Sequence, residues 1–163
     1  MTEQPVATDL FAAAFFTADH GATENGKLYI NGGAWDKTSH AAYPTGLTFA
    51  VVAVLHIPWR AHGQSHPFSI WFEDADGKDL GARIAGTFQA TRSPEARPGD
   101  ESVAPLAVNI NGLILPRPGE YFAVLSVDGA ELARWHFRAV QSFSGPGAAL
   151  PPSLMPPAGP PAS

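Results

Sequence analysis

The stretch that decides the fold runs from Gly119 to Val140 and reads GEYFAVLSVDGAELARWHFRAV. Asp128-Gly129 forms a two-residue turn at its centre, because a tight hairpin needs positive φ angles that Gly adopts freely and Asp tolerates. Along the return strand, Ala133, Trp135, Phe137 and Ala139 fall on one face and Arg134, His136 and Arg138 on the other. A strict period of two with one apolar face predicts a sheet that buries one side.

The rest of the chain repeats this pattern of short strands between turns. Asn25-Gly26 predicts a second tight hairpin, and Gly46–Pro58 is the most hydrophobic strand. The segment from Asn31 to Pro44 is predicted as a strand break and an irregular connection, with Trp35 closing one end of the core. About eight strands and no amphipathic helix predict an all-β fold, an antiparallel two-sheet sandwich of immunoglobulin-like or jelly-roll-like type. A small closed barrel is the alternative.

Composition divides the chain into three parts. Residues 1–9 are polar and predict an N-terminal arm, whereas residues 10–143 carry all the strand patterns. Residues 144–163 are rich in Pro and Gly, including three Pro-Pro pairs, and predict an extended tail that cannot join a central ladder. We therefore expect one β-sandwich domain between an arm and a tail.

The charge balance argues against several classes of partner. The formal net charge is −5 and the ten Lys and Arg residues are scattered, which disfavours nucleic-acid binding. The longest apolar stretch, Leu47–Leu55, is about half of a membrane-spanning helix. The chain has no cysteine, so disulfides and thiolate metal sites are excluded. We expect a cytoplasmic protein, or a virion protein if a phage encodes it, that binds neither nucleic acid nor membrane.

Two features predict a surface for protein partners. The strand Gly46–Pro58 is apolar on both faces, so it is either a central strand covered twice or part of an interface that includes Val52 and Val54. Trp71 points away from its inward neighbours Phe68, Ile70 and Phe72, and an outward tryptophan fits an interface or a sugar platform. The predicted interface residues are Trp71, Val52, Val54, Leu150, Leu154 and Met155.

Metal binding has two weak candidate groups. His56, His62 and His66 lie close in sequence, but their spacing matches no standard ligand pattern, and solvated or turn-fixing histidines explain them as well. Asp74, Asp76 and Asp79 surround Gly77 as in part of a calcium loop, yet Phe72 occupies the position of a required acid. A hairpin turn of the Asp-Gly kind is the favoured explanation of these three acids, with weak calcium binding as the alternative. We predict no cofactor.

No arrangement of residues announces a reaction. The sequence lacks a Gly-x-Ser-x-Gly elbow, a Ser-x-x-Lys motif and a phosphate-cradling glycine loop. Glu73 with Glu120 or Glu131 could in principle pair across a sheet as in glycosidases, but nothing in the spacing selects them. We therefore expect a protein that is not an enzyme, with a hydrolase as the third hypothesis.

Several turn and core motifs resemble an uncharacterised family of small β-sandwich proteins from actinobacteria and their phages. The resemblance covers about residues 10–140 and leaves out the tail. It implies the fold and no mechanism. The motifs that carry it are Gly26-Lys27-Leu28, Asn31-Gly32-Gly33-Ala34-Trp35-Asp36, Ile57-Pro58-Trp59, His66, Asp76-Gly77, Ala107-Val108-Asn109, Gly119-Glu120-Tyr121 and Val127-Asp128-Gly129.

These observations predict a non-catalytic module that binds protein partners, either further copies of itself or a larger assembly. The Ala-, Gly- and Pro-rich composition suggests a high-GC genome, so a phage head-decoration or tail-accessory protein is a concrete version. The alternative is a ligand-binding β-sandwich. Its ligand would be a carbohydrate held by exposed aromatics or a metal near His56–His66.

Overall fold

A computed structural model of the chain describes residues 9–143. Most of the predicted arm and the whole tail, with Leu150, Leu154 and Met155, lie outside the described residues. The described part consists of nine strands and one short 3-10 turn, Trp59–Ala61, and contains no α-helix. The strands are β1 Phe11–Glu24, β2 Lys27–Gly33, β3 Lys37–His40, β4 Thr45–Ile57, β5 Ser65–Asp74, β6 Asp79–Gln89, β7 Ser102–Leu115, β8 Gly119–Val127 and β9 Ala130–Gln141.

The strands form two sheets. Sheet A has the order β2-β1-β4-β7, and sheet B has the order β3-β9-β8-β5-β6 and curls into a half-barrel. The predicted all-β class and the two sheets are confirmed. The described part also holds no helix long and apolar enough to traverse a bilayer.

Two details of the predicted topology are wrong. The segment predicted as an irregular connection contains β3, which brings the described part to nine strands instead of about eight. In addition, β3 pairs with β9 in parallel, from Lys37 opposite Arg138 to His40 opposite Gln141, so the sheets are not wholly antiparallel. β3 is short and polar, with the sequence KTSH. It is held at the sheet edge by backbone hydrogen bonds, so its sequence shows no alternation of apolar residues from which a strand could be predicted.

Both predicted hairpin turns are confirmed by their backbone angles. Asn25 and Gly26 have φ values of 50° and 72°, and Asp128 and Gly129 have 53° and 80°. Positive φ at both central residues matches the twist of the flanking strands. Each turn therefore joins adjacent antiparallel strands, β1 to β2 and β8 to β9.

The core lies between the two sheets. Phe49 of sheet A meets Phe72 and Phe137 of sheet B, and all three side chains are buried. Trp35 packs edge-on against Phe49 and Phe137, in the plugging position that the sequence predicts. Buried Tyr121 donates a hydrogen bond from its hydroxyl to the carbonyl of Arg117 at 2.6 Å. This bond fixes the chain where it enters β8.

The outer face of sheet A is covered over half its length by the chain itself. β1 pairs with β4 only as far as Ala18, and its next residues pair with β2. Gly21 then lies directly against Val52, since a Cβ built on Gly21 would be 2.8 Å from Val52 Cγ1. The Asn109 amide holds Gly21 in place by bonding its backbone N–H at 3.2 Å and its carbonyl at 2.9 Å. Val52 is consequently fully buried.

This cover decides between the two explanations of the apolar strand Gly46–Pro58. β4 is central in sheet A and Val52 is enclosed by residues of the same chain. Val52 therefore has no surface to offer a partner, and its predicted place in an interface is withdrawn.

Candidate functional site

The other half of the outer face of sheet A is uncovered and apolar. Phe11, His56 and Val103 lie directly opposite one another on β1, β4 and β7. Phe11 and Val103 are 48% and 56% exposed, and His56 between them is half-buried. Val54, two residues along β4, shares this face and is also half-buried. We call Phe11, Val54, His56 and Val103 the open end of sheet A.

The open end has the His56 imidazole at its centre and charged groups at its border. The Phe11 ring stacks on the His56 imidazole with centroids 4.7 Å apart. His56 Nδ1 lies 3.4 Å from a carboxylate oxygen of Glu101, and Asp9 accepts a hydrogen bond from the Arg60 guanidinium beyond the strand ends. The open end is thus a small, largely apolar surface bordered by charged side chains.

Trp71 lies on the outer face of sheet B, but its ring is not bare. The Arg83 guanidinium lies 4.6 Å from the ring centroid, and the Trp71 indole N–H donates to Glu73 at 2.6 Å. Trp71 is half-buried as a result. An approaching sugar or protein would have to displace Arg83 to stack on this ring.

The charged side chains on the outer face of sheet B form ion pairs with one another. Arg134 donates to Glu73 at 2.8 Å and to Glu131 at 3.0 Å, and it lies over the Phe122 ring. The pKa of the Glu73 carboxyl is lowered, mainly by the hydrogen bond from the Trp71 N–H and to a smaller extent by Arg134. Glu131 and Glu73 in turn raise the pKa of Arg134. His136 and Arg138 both pair with Glu120 farther along the face. This face satisfies its charges internally.

The three predicted histidine ligands do not converge. His56 faces outward at the open end, whereas His62 and His66 bond different partners. Among residues 9–143 no group of three His, Asp or Glu side chains is placed to hold a metal ion.

His66 is a buried structural link, 1% exposed. Its Nε2 lies 2.8 Å from the Ala61 carbonyl and its Nδ1 lies 2.8 Å from an Asp128 carboxylate oxygen. Both partners are acceptors, so the protonated ring can donate a hydrogen bond from each nitrogen. Burial lowers the pKa of His66, but the Ala61 carbonyl and the Asp128 carboxylate outweigh it and raise the pKa overall.

His62 has a different pair of partners. Its Nδ1 lies 3.0 Å from the carbonyl oxygen of Trp59, and its Nε2 is hydrogen-bonded to the Ser102 hydroxyl. His62 is 7% exposed, and Ser102 is half-buried at the start of β7. The contact joins the short turn after β4 to the end of the loop between β6 and β7.

The predicted acidic group forms a turn. Asp74 is buried, and its carboxylate accepts hydrogen bonds from the backbone N–H groups of Asp76 and Lys78 at 2.9 and 3.0 Å. Gly77 has φ +77°, and Asp79 accepts from the backbone of Gly81. The carboxylates of Asp74 and Asp79 therefore accept hydrogen bonds from the backbone of their own turn, as the hairpin-turn explanation of these residues predicts.

Two of the cavities on the surface of residues 9–143 lie beside polar side chains. One, of about 340 Å³, lies beside the His62–Ser102 pair and is lined by His62, Thr91, Ser93, Glu95, Ala96, Asp100, Glu101 and Ser102. The other, of about 420 Å³, includes Asp19, Lys37 and Trp35 in its lining. Within residues 9–143 the indole N–H of Trp35 is a buried donor without a hydrogen-bond partner.

A family model matches the chain from residue 13 to residue 140. That family is DUF6941, a family of unknown function. The chain belongs to this family. The predicted resemblance is confirmed at this level, while the origin in actinobacteria and their phages stays a prediction.

Comparisons of this DUF6941 chain with curated proteins and solved structures found only distant similarity. No curated protein matches it. Among solved structures it is similar to Pseudomonas fluorescens alkylpurine DNA glycosylase AlkC bound to DNA with an abasic site analog, with TM-score 0.44, 10% identity, and 82% of this chain and 31% of that chain covered. It is also similar to Listeria innocua β-glucosidase in complex with isofagomine, with TM-score 0.41, 8% identity, and coverage of 82% and 16%. The DUF6941 chain thus spans less than a third of either protein.

Sequence reasoning missed Phe11, Val103 and Ser102 as site residues. The alternation along β1 and β7 shows that Phe11 and Val103 leave the core face, but which strands become neighbours depends on the tertiary fold. Ser102 ends a polar loop and carries no motif. Its pairing with His62, 40 residues earlier, appears only when the loop is placed on the turn.

Proposed function

We propose that this DUF6941 protein is an interaction module that docks another protein chain on the open end of sheet A. The supporting observation is the row Phe11–His56–Val103, in which two large apolar side chains stay about half exposed. Sheet B offers no comparable surface, because its outer face is occupied by its own ion pairs. Of the predicted interface residues, Val54 belongs to the proposed surface.

We also infer that the scaffold is an immunoglobulin-like sandwich. In sheet B the order β9-β8-β5-β6 follows the G-F-C-C′ order of variable-type domains, and β1-β4-β7 in sheet A follows A-B-E. The Tyr121 hydroxyl bond to Arg117, just upstream, has the form of a tyrosine corner at the start of strand F. Such scaffolds commonly carry binding surfaces, which supports an interaction role.

The partner class follows from the chemistry of the surface. An apolar centre with Glu101 and Arg60 on its rim fits a protein surface with its own apolar residues, and the net charge of −5 disfavours nucleic acid. A subunit of a larger assembly, such as a phage head-decoration or tail-accessory protein, is the concrete version of this proposal. The protein would then be located where its partner is, in the cytoplasm or in a virion.

The test compares two double variants of the full-length protein. Phe11→Ser with Val103→Ser removes the open end, whereas Tyr29→Ser with Ile114→Ser removes equally exposed apolar side chains elsewhere on sheet A. Light scattering measures self-association, and co-purification from the native host measures assembly with other proteins. We expect the first variant alone to lose its complex. A wild-type chain that stays a monomer and enters no complex in its host would contradict the proposal.

A sugar-binding role at Trp71 is a second, weaker hypothesis. The ring already carries Arg83 on its face, and its N–H is bonded to Glu73. Binding on a glycan array that disappears in Trp71→Ala, and strengthens in Arg83→Ala, would establish it.

A further inference from the structure

The protons of the His62–Ser102 pair can be assigned from their partners. The Trp59 carbonyl only accepts, so the His62 Nδ1 that lies 3.0 Å away donates to it. In the neutral ring the opposite nitrogen, Nε2, is then an acceptor, and the Ser102 hydroxyl donates its proton to it. This is the arrangement of a nucleophilic serine and its general base, with a backbone carbonyl in place of the third group that orients the imidazole.

The surroundings of the pair form a shaped site. The loop of residues 90–101 is held by its own bonds, from Ala96 N–H to the Ser93 carbonyl and from Arg97 N–H to the Asp100 carboxylate. It borders the surface cavity of about 340 Å³ that His62 and Ser102 line. Thr91 and Ser93, which carry hydroxyl groups, belong to the same lining.

The charge of this cavity selects a substrate class. Its lining contains three acidic residues, Glu95, Asp100 and Glu101, and no Lys or Arg, while the Arg92 guanidinium lies behind it, 3.4 Å from the Trp59 carbonyl that His62 also bonds. A site walled by one sign of charge concentrates ligands of the opposite sign. Cationic molecules are therefore favoured, and anionic esters and phosphates are disfavoured.

We propose that Ser102 and His62 form a nucleophilic acyl-transfer site for small esters or thioesters that carry a positive charge. This assigns a chemical activity to a protein whose sequence predicts none. Ser102 and His62 are not part of the open end, although Glu101 borders both the open end and this cavity.

The reaction balances as an ester hydrolysis. Ser102 Oγ attacks the carbonyl carbon while His62 Nε2 takes the hydroxyl proton. The bond from that carbon to the leaving oxygen or sulfur breaks, and the leaving group takes the proton from His62. Water then attacks the acyl-Ser102 ester, gives one proton to His62, and releases the carboxylic acid as Ser102 Oγ regains that proton. The net change is one ester and one water converted to one acid and one alcohol or thiol.

A purely structural role makes a different prediction. If the His62–Ser102 bond only fastens the loop to the turn after β4, the serine has no more than the reactivity of any surface hydroxyl. Covalent labelling separates the two roles, because a fluorophosphonate probe modifies a serine that a base activates and leaves ordinary serines unmodified.

The experiment treats the full-length protein with a fluorophosphonate probe and maps the adduct by peptide mass spectrometry. We expect the adduct on Ser102, with labelling slowed about a hundredfold in His62→Gln and unchanged in the control Ser69→Ala, which lies on sheet B. Turnover of acetylthiocholine should exceed that of the neutral thioester S-ethyl thioacetate and should vanish in Ser102→Ala. Circular dichroism verifies that each variant is folded.

Two results would overturn the proposal. One is a folded wild-type protein that acquires no adduct on Ser102. The other is an adduct that forms equally fast when His62 is replaced. If His62→Gln does not fold, the wild-type map decides by itself, since activation requires Ser102 to react in preference to Ser69 and Ser93. Equal turnover of the two thioesters would overturn the charge preference alone.

Discussion

The outer face of sheet A has two largely apolar halves, of which one is covered by the chain and the other is exposed. Around Val52 the face is closed by Gly21 of the same chain and is fully buried. Around His56, four residues further along β4, Phe11 and Val103 remain about half exposed. Both halves are apolar, so hydrophobicity alone does not show which half the protein keeps for a partner.

The difference shows that cover depends on local chain geometry. The glycine at position 21 lets the β1 backbone approach Val52 and Ala107 closely, and Asn109 bonds both backbone groups of Gly21. No equivalent segment of residues 9–143 crosses the open end. An apolar face becomes an interface candidate when its own chain leaves it uncovered.

The largest expected effect comes from placing a carboxylate in each half. Val52→Asp buries a charge among apolar atoms and should lower the free energy of unfolding by more than about 4 kcal/mol, or prevent folding. Val103→Asp, on the exposed half, should change it by less than about 0.5 kcal/mol. Chemical denaturation followed by circular dichroism measures both. Equal effects would contradict the contrast between the halves.

A smaller effect on stability is expected from adding one methyl group at Gly21, where β1 packs against Val52. Gly21→Ala places its Cβ 2.8 Å from Val52 Cγ1 and 3.2 Å from the Ala107 Cβ, so it should cost about 1–3 kcal/mol. Gly46→Ala is the matched control in β4, since the nearest atom is 3.8 Å away. It should stay within about 1 kcal/mol of the wild type. Denaturation midpoints compare the two, and a harmless Gly21→Ala would show that the cover is loose.

The smallest expected effect is the pH dependence of the stability that the His66–Asp128 pair contributes. The pKa of His66 is raised in the folded state, so the native protein holds this proton more tightly than the unfolded chain. The Asp128–His66 pair therefore stabilises fully below the unfolded pKa of about 6.5, and this stabilisation is lost as pH rises through the higher native value.

Thermal melts of the wild type and Asp128→Asn between about pH 5 and pH 9 test this expectation. The gap in melting temperature should be widest at the acidic end and should narrow as the pH rises. His136→Gln, which alters an exposed histidine paired with Glu120, serves as the control. A gap of constant width would mean that the His66 ring is not charged in the folded state.

Much of the fold could be predicted because its turns and alternation are local. Asn25-Gly26 and Asp128-Gly129 specify their hairpins by backbone preference, and the alternation of β9 marks its core face without reference to other strands. β3 could not be predicted, since a four-residue polar edge strand is recognised only by the partner it pairs with.

The candidate sites were less predictable because they depend on which strands become neighbours. The sequence indicates that Val52 and Val54 share the second face of β4, but Gly21 buries one and leaves the other half-exposed. Likewise, three histidines close in sequence acquire three separate partners, Glu101, Ser102 and Asp128. Spacing along the chain says little about convergence when a strand, a turn and a loop lie between the residues.

The parallel pairing of β3 with β9 has a consequence for synthesis of the protein. Lys37 lies opposite Arg138, and the Tyr43 hydroxyl bonds the Val140 carbonyl, so early and late parts of the chain complete the same sheet edge. A nascent chain cannot close this edge until residue 141 has left the ribosome. Folding dominated by such distant pairings is slow, and we expect the domain to become resistant to proteases only after residues 130–141 have been synthesised.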